Sequence, residues 1–221
     1  MKLHFLGTRG YIKVTSALHR MHTSLLVLYR GKKLMIDCGA DWRKKVWTIA
    51  PDAILLTHGH PDHAWGLAEG SPAPVYAAAE TWALINTYPI VKQHQIIPRT
   101  PQKILGMTVE AFRVVHSLRC PAIGYRITAG KNTIFYISDV VDIADRHEAL
   151  SGIGLYIGDG ATITRPLVRR NAGGIFGHTT IRAQIGWCSQ EGVPRAVFTH
   201  CGTQIVKGNK SEIRAKIQEL A

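Results

Sequence analysis

The 221-residue chain carries 27 Lys and Arg against 15 Asp and Glu, a formal net charge of +12 and a pI near 9.8. With 46% hydrophobic and 19% charged residues and no low-complexity tract, it excludes disordered and fibrous classes, and its length suits one domain over residues 1–221. No apolar run reaches the roughly 18 residues of a membrane span, the start MKLHFLGTRG lacks a signal-like apolar stretch, and Cys38, Cys120, Cys188 and Cys201 form no CxxC pair, so a cytoplasmic protein with reduced thiols and no membrane partner is expected.

Strands are expected at Leu3–Leu6, then at Ser24–Tyr29 and Lys33–Asp37 around the turn Arg30-Gly31-Lys32. Helical character over Asp41–Ile49 stops at Pro51. The apolar run Ala53–Thr57 reads as a buried strand, followed by a strand at Pro74–Tyr76, a helix over Ala78–Asn86 and a Pro-rich polar loop over 87–102. Strands recur at Met107–Val115, Ile123–Thr128 and Asn132–Ile137, with a helix at Val141–Leu150 and a strand at Gly154–Ile157. The glycine-rich stretch Gly158–Gly177 reads as irregular. A helix at Thr179–Gln190, a strand at Arg195–Thr199 and a helix at Ser211–Leu220 complete the chain. Strands and helices arrive in clusters without strict alternation, which predicts mixed sheets covered by helices in an α/β (α+β) class.

The buried strand at 53–57 delivers the chain into His58-Gly-His60-Pro-Asp62-His63, three imidazoles and a carboxylate within six residues. A regular strand would send His58 and His60 to one face. A tight loop with Gly59 and Pro61 can instead fan them around two metal centres. Imidazole with carboxylate suits Zn²⁺, and also Fe or Mn.

This segment resembles the HxHxDH signature of the metallo-β-lactamase superfamily of binuclear metallohydrolases. The resemblance extends along the chain: His116 ends the strand before it, Asp139 follows Thr133–Ser138, and His200 follows Arg195–Thr199. It implies a four-layer αββα sandwich and two divalent ions, Zn²⁺ foremost with Mn or Fe as alternatives. His58, His60 and His116 would hold one ion, Asp62, His63 and His200 the other, and Asp139 would bridge them. Asp37, in Ile36-Asp37-Cys38-Gly39, resembles the early aspartate that buttresses the metal-binding loop without ligating. Cys120 and Cys201, beside these residues, are assigned to packing.

Fold does not fix substrate within such a superfamily. Gly177-His178-Thr179-Thr180 resembles the histidine motif of ribonuclease Z and related cyclic-phosphate phosphodiesterases, and Asp159 sits where those enzymes carry an acidic segment. A histidine there can protonate a leaving alkoxide or neutralise charge on a phosphorane. Arg165, Arg169 and Arg170 precede it, and guanidinium groups match phosphate bidentately. With the net positive charge, these residues point to a phosphodiester or nucleic-acid-like substrate, with Asp62 and His178 as catalytic candidates and Asp159, Arg165, Arg169 and Arg170 as substrate contacts. The alternative is a lactonase or thioesterase of the same fold. Only 22 residues separate His116 from Asp139, too few for the arm with which tRNA processors grip their substrate, so a compact phosphodiesterase or small nuclease is expected. Dimers are common in the resembling families, which makes a homodimer an expectation as well.

Overall fold

The computed structural model describes residues 1–221. Six strands form the first sheet in sequence order: β1 (Lys2–Gly7), β2 (Ser24–Tyr29), β3 (Lys32–Ile36), β4 (Ala53–Leu55), β5 (Val75–Ala77) and β6 (Gln93–Gln95). β1, β2 and β3 pair antiparallel, and β3 through β6 pair parallel. The β2–β3 turn takes positive φ at both Arg30 (49°) and Gly31 (76°), the hand that matches the twist of a hairpin.

The second sheet contains β7 (Gln102–Ile104), β8 (Met107–Val115), β9 (Ala122–Ala129), β10 (Asn132–Tyr136), β11 (Asp142–Ile143), β12 (Leu155–Asp159) and β15 (Ala196–Thr199). Its order is β11-β8-β9-β10-β12-β15, with β7 on the start of β8. β13 (Leu167–Asn171) and β14 (Gly174–His178) form a separate antiparallel hairpin.

The two-residue period of the strands explains the layering. Leu25 and Val27 of β2 join Val109, Tyr125, Ile134 and Tyr136 in the core between the sheets. Their neighbour Leu26 faces outward into a second cluster with Val46, Ala64 and Ile85, under α1 (Lys45–Ile49), α2 (Pro61–Ala64) and α3 (Ala79–Leu84). On the other side, Phe135 and Ile137 face outward against Ala149, Leu150 and Cys188, from α4 (Arg146–Leu150) and α5 (Ile181–Gln190). Sheets buried on both faces read as nearly continuous apolar runs, which is why these strands are visible in the sequence. The arrangement is the expected helix–sheet–sheet–helix sandwich. Short helices α6 (Thr203–Lys207) and α7 (Lys210–Gln218) follow β15.

Four segments differ from the sequence expectations. The 87–102 loop contains β6, whose residues Gln93, His94 and Gln95 are exposed on the sheet edge and carry no apolar signal. The irregular 158–177 stretch contains the β13–β14 hairpin, with β13 exposed throughout. Val141–Leu150 is split: β11 pairs with the end of β8, and only Arg146–Leu150 is helical. Asp41–Ile49 is likewise split, because Lys44 adopts φ 62° between a 3-10 turn at Ala40–Trp42 and α1. All four cysteines are buried and unbridged.

Candidate metal centre

Strand ends bring the predicted ligands to one edge of the sandwich. Asp37 follows β3 and Thr57 follows β4, and the parallel pairing of these strands sets them side by side. The fully buried Asp37 carboxylate accepts hydrogen bonds from Thr57 N (2.8 Å), Thr57 Oγ1 (2.9 Å) and His63 Nδ1 (2.9 Å). It therefore fixes both the start and the end of the histidine loop. Its backbone sits at φ 62°, and His200 sits at φ 52°; such left-handed positions in non-glycine residues store strain and cluster at functional sites. Gly39 is required by close approach, since a Cβ there would lie 1.9 Å from Asp62 O.

The imidazoles converge with their lone pairs inward. His58 Nδ1 is held by Thr57 Oγ1 (3.0 Å) and His116 Nδ1 by the Gly177 carbonyl (3.0 Å), which leaves each Nε2 free to face the site. His58 Nε2 and His116 Nε2 lie 2.9 and 3.3 Å from His60 Nδ1. A second group forms around Asp62, whose Oδ2 is 3.0 Å from His200 Nε2 and 3.1 Å from His63 Nε2. Asp139 lies between the groups: Oδ2 is 2.9 Å from His63 Nε2, and Oδ1 is 3.3 Å from His200 Nε2 and 3.7 Å from His116 Nε2.

These donors fit metal ions. Nitrogen and oxygen ligands at about 2.0–2.1 Å around a tetrahedral Zn²⁺ lie roughly 3.3 Å from one another, the spacing seen within each group. His63 Nε2 and Asp139 Oδ2 are buried and 2.9 Å apart, yet neither makes a hydrogen bond. Buried polar atoms left in that condition are costly unless something else binds them.

The electrostatics agree. Burial drives His58 well below the ordinary imidazole range and His116 down to about 4, so both are neutral, as a ligand must be. Burial opposes charge on His63 and His200 as well, but there carboxylates win. Asp62, Asp139 and Asp37 raise His63 well above its usual value, and Asp139, Asp159 and Asp62 raise His200 to about 10.

His178 ends β14 and stacks on His200, ring centroids 5.5 Å apart. Its Nδ1 donates to Asp159 Oδ2 at 2.7 Å and lies 3.7 Å from Asp139 Oδ1. Burial is outweighed by Asp159, so the His178 pKa is raised. The helix cap beside it is Thr180, which accepts from Ala183 N, so His178 belongs to the strand and not to a capping turn.

The expected substrate contacts divide. Arg165 lines a cleft with His178 and His200. Asp159, expected as a substrate contact, has no exposed surface, and its oxygens accept from Val140 N, Ala161 N and His178. In the hairpin, Leu167 pairs with His178 and Arg169 with Phe176, which puts Arg169 on the site-facing side. Strand alternation directs Arg170, also expected as a substrate contact, to the opposite face of the hairpin. Tyr11, Arg119 and Phe176 also line clefts beside the cluster. No sequence motif flags them, since each reaches the site only through tertiary folding. Cys120 is buried with its Sγ 3.2 Å from Gly59 N, under the histidine loop.

Residues 32–201 match the family model of the β-lactamase superfamily domain. Among curated proteins, an octanoyltransferase of Porphyromonas gingivalis is 29% identical over 205 residues, covering 82% of this chain and 39% of that protein. A ribonuclease Z of Methanopyrus kandleri is 31% identical over 146 residues, 58% of this chain and 50% of that protein. The chain thus spans half or less of the length of these relatives. Among solved structures, the metallo-β-lactamase fold protein YhfI of Bacillus subtilis superposes with a TM-score of 0.74 at 18% identity, covering 99% of this chain and 92% of YhfI. With the family model spanning most of its length, the chain belongs to the metallo-β-lactamase superfamily.

Proposed function

We propose that the chain is a binuclear metal-dependent phosphodiesterase or small nuclease. His58, His60 and His116 would hold one ion, Asp62, His63 and His200 the second, with Asp139 shared between them. When bound, such ions supply Lewis acidity and a water acidified to near neutrality. Zn²⁺ suits this donor set best, and Mn or Fe are accepted by the same ligands.

The observation that carries the phosphodiester reading is the His178–Asp159 pair. A carboxylate with no other charged partner than neighbouring imidazoles holds the ring of a raised-pKa histidine at the edge of the ligand cluster. A proton held on His178 is available to a departing alkoxide: water adds to phosphorus, the P–O ester bond breaks, the alcohol leaves with the His178 proton, and the proton given up by the water restores His178 through solvent. Arg165, which lines the cleft with His178, and Arg169, on the same hairpin face as Phe176, would supply guanidinium groups to the anionic phosphate. The ribonuclease Z relatives support the same substrate class.

The test is hydrolysis of bis(p-nitrophenyl) phosphate by Zn- or Mn-loaded protein, with His178→Ala alongside. Metal-dependent turnover that falls about a hundredfold in the variant, the scale of a general acid, is expected. Absence of turnover in a protein that takes up metal removes phosphodiesters and moves lactones and thioesters forward.

A further inference from the structure

The ligand cluster opens into two clefts, and the β13–β14 hairpin contributes to both. One, of about 420 Å³, has Tyr11, Arg165 and Leu167 around His178 and His200. The other, of about 320 Å³, has Arg119 and Phe176 beside His60. Both volumes lie at the small end of ligand sites, which suits one compact group apiece.

Tyr11 is the unusual member. It is 65% exposed, although the loop that carries it is firmly tied down. Gly10 N donates to Cys201 O (3.1 Å), and the buried Arg9 guanidinium binds the carbonyls of Ile12 and Arg20 while paired with Asp41. The backbone on both sides of Tyr11 is therefore preset, while its ring has only a loose neighbour, His22, at 6.0 Å between centroids. In the same cleft the Arg165 carbonyl accepts from Thr162 Oγ1 (2.6 Å), which fixes the base of a free guanidinium. A large aromatic ring left uncovered on a rigid loop, with a cation in the same cleft and the ligand cluster below, matches a planar ring attached to a phosphate.

Resting on the phosphate reading above, we infer that the Tyr11–Arg165 cleft is a ring-stacking subsite and that the substrate is a nucleoside phosphate ester, its base against Tyr11 and its phosphate at the cluster. Stacking is sequence-tolerant because every base has a π-face. The subsite thus selects for a ring beside the phosphate without reading which base it is.

The experiment is calorimetric titration of the zinc-loaded protein with adenosine 5′-monophosphate and with ribose 5-phosphate, which differ only by the base. The wild-type protein binds the nucleotide about tenfold more tightly, the scale of one stacked base. Tyr11→Ala closes that gap by weakening the nucleotide alone, and Tyr11→Phe preserves it. Equal affinities in the wild type overturn the subsite while leaving the phosphate reading intact. The same holds if Tyr11→Ala weakens both ligands alike, or if the gap is lost in Phe176→Ala instead. Binding of neither phosphate to the zinc-loaded protein overturns both readings.

Discussion

Asp37 is the most informative residue to perturb, because its carboxylate acts at a distance from any reacting atom. In Asp37→Asn, one amide oxygen can still accept from Thr57, but the other position now presents N–H to His63 Nδ1 in place of the oxygen at 2.9 Å. Two donors cannot face one another, so His63 adopts the tautomer with Nδ1 as acceptor and its proton on Nε2. That proton points at Asp62 and Asp139, at the position a metal needs. Losing a group that orients a ligand in this way typically costs 10–100-fold in metal affinity. Asp37→Ala does more damage to the fold: Thr57 N, Thr57 Oγ1 and His63 Nδ1 are all left buried without their acceptor. Removing one side of a buried, charged hydrogen-bonded cluster costs about 3–5 kcal/mol. In a chain of this size that is a fall of about 6–20 °C in Tm. The assays are competition with a chromophoric chelator for the affinity, and thermal unfolding of the chelated protein for the stability. If Asp37→Asn keeps wild-type zinc affinity, the tautomer argument is wrong. If Asp37→Ala melts within about 2 °C of wild type, well below the expected shift, the buttressing argument is wrong too.

Three further outcomes follow from the same geometry. Asp159→Asn removes the carboxylate that raises the His178 pKa, so the pKa falls; kcat drops by about tenfold or more, and the alkaline limb of its pH profile moves to lower pH, whereas an unmoved limb would deny His178 the role of acid. Because His63 and His200 are raised and protonated at neutral pH without metal, zinc binding expels protons and its apparent affinity climbs with pH. Calorimetry in buffers of different ionisation enthalpy reads that release, and an observed heat that ignores the buffer would contradict it. Finally, Arg169→Ala raises KM for a phosphodiester, while Arg170→Ala, on the opposite face of β13, leaves KM within about twofold, since exposed charges away from the site contribute little. Equal effects from the two would mean that the hairpin twists away from its paired register.

The seven candidate ligands are legible in the sequence because metal binding demands particular residue types, and because each stands where an apolar run stops. Asp37 is legible for a related reason, as the first polar residue after Leu34-Met35-Ile36. What surrounds them is harder to read. The division of labour between Asp159 and Arg165 depends on which of them has a solvent-facing surface, and that is settled by tertiary packing around Gln184, whose side chain bonds both the N and the O of Asp159. Arg169 and Arg170 are adjacent and chemically identical, and only a strand register separates them.

The β13–β14 hairpin is the clearest case. Its strands, Leu-Val-Arg-Arg-Asn and Gly-Ile-Phe-Gly-His, show no apolar–polar alternation and contain no fully buried side chain, so neither hydrophobic period nor composition announces a strand. It is held instead by backbone pairing and by two bonds to one residue, Gly177 N to His116 O (2.7 Å) and His116 Nδ1 to Gly177 O (3.0 Å). Gly177 sustains this at φ 114°, where a Cβ would strike Leu167 O at 2.1 Å. One glycine thus couples a ligand histidine to the strand that carries His178. The part of the site governing chemistry common to the superfamily is written in residue identity. The part that would govern which substrate enters is written in backbone geometry, among exposed side chains that no folding requirement constrains.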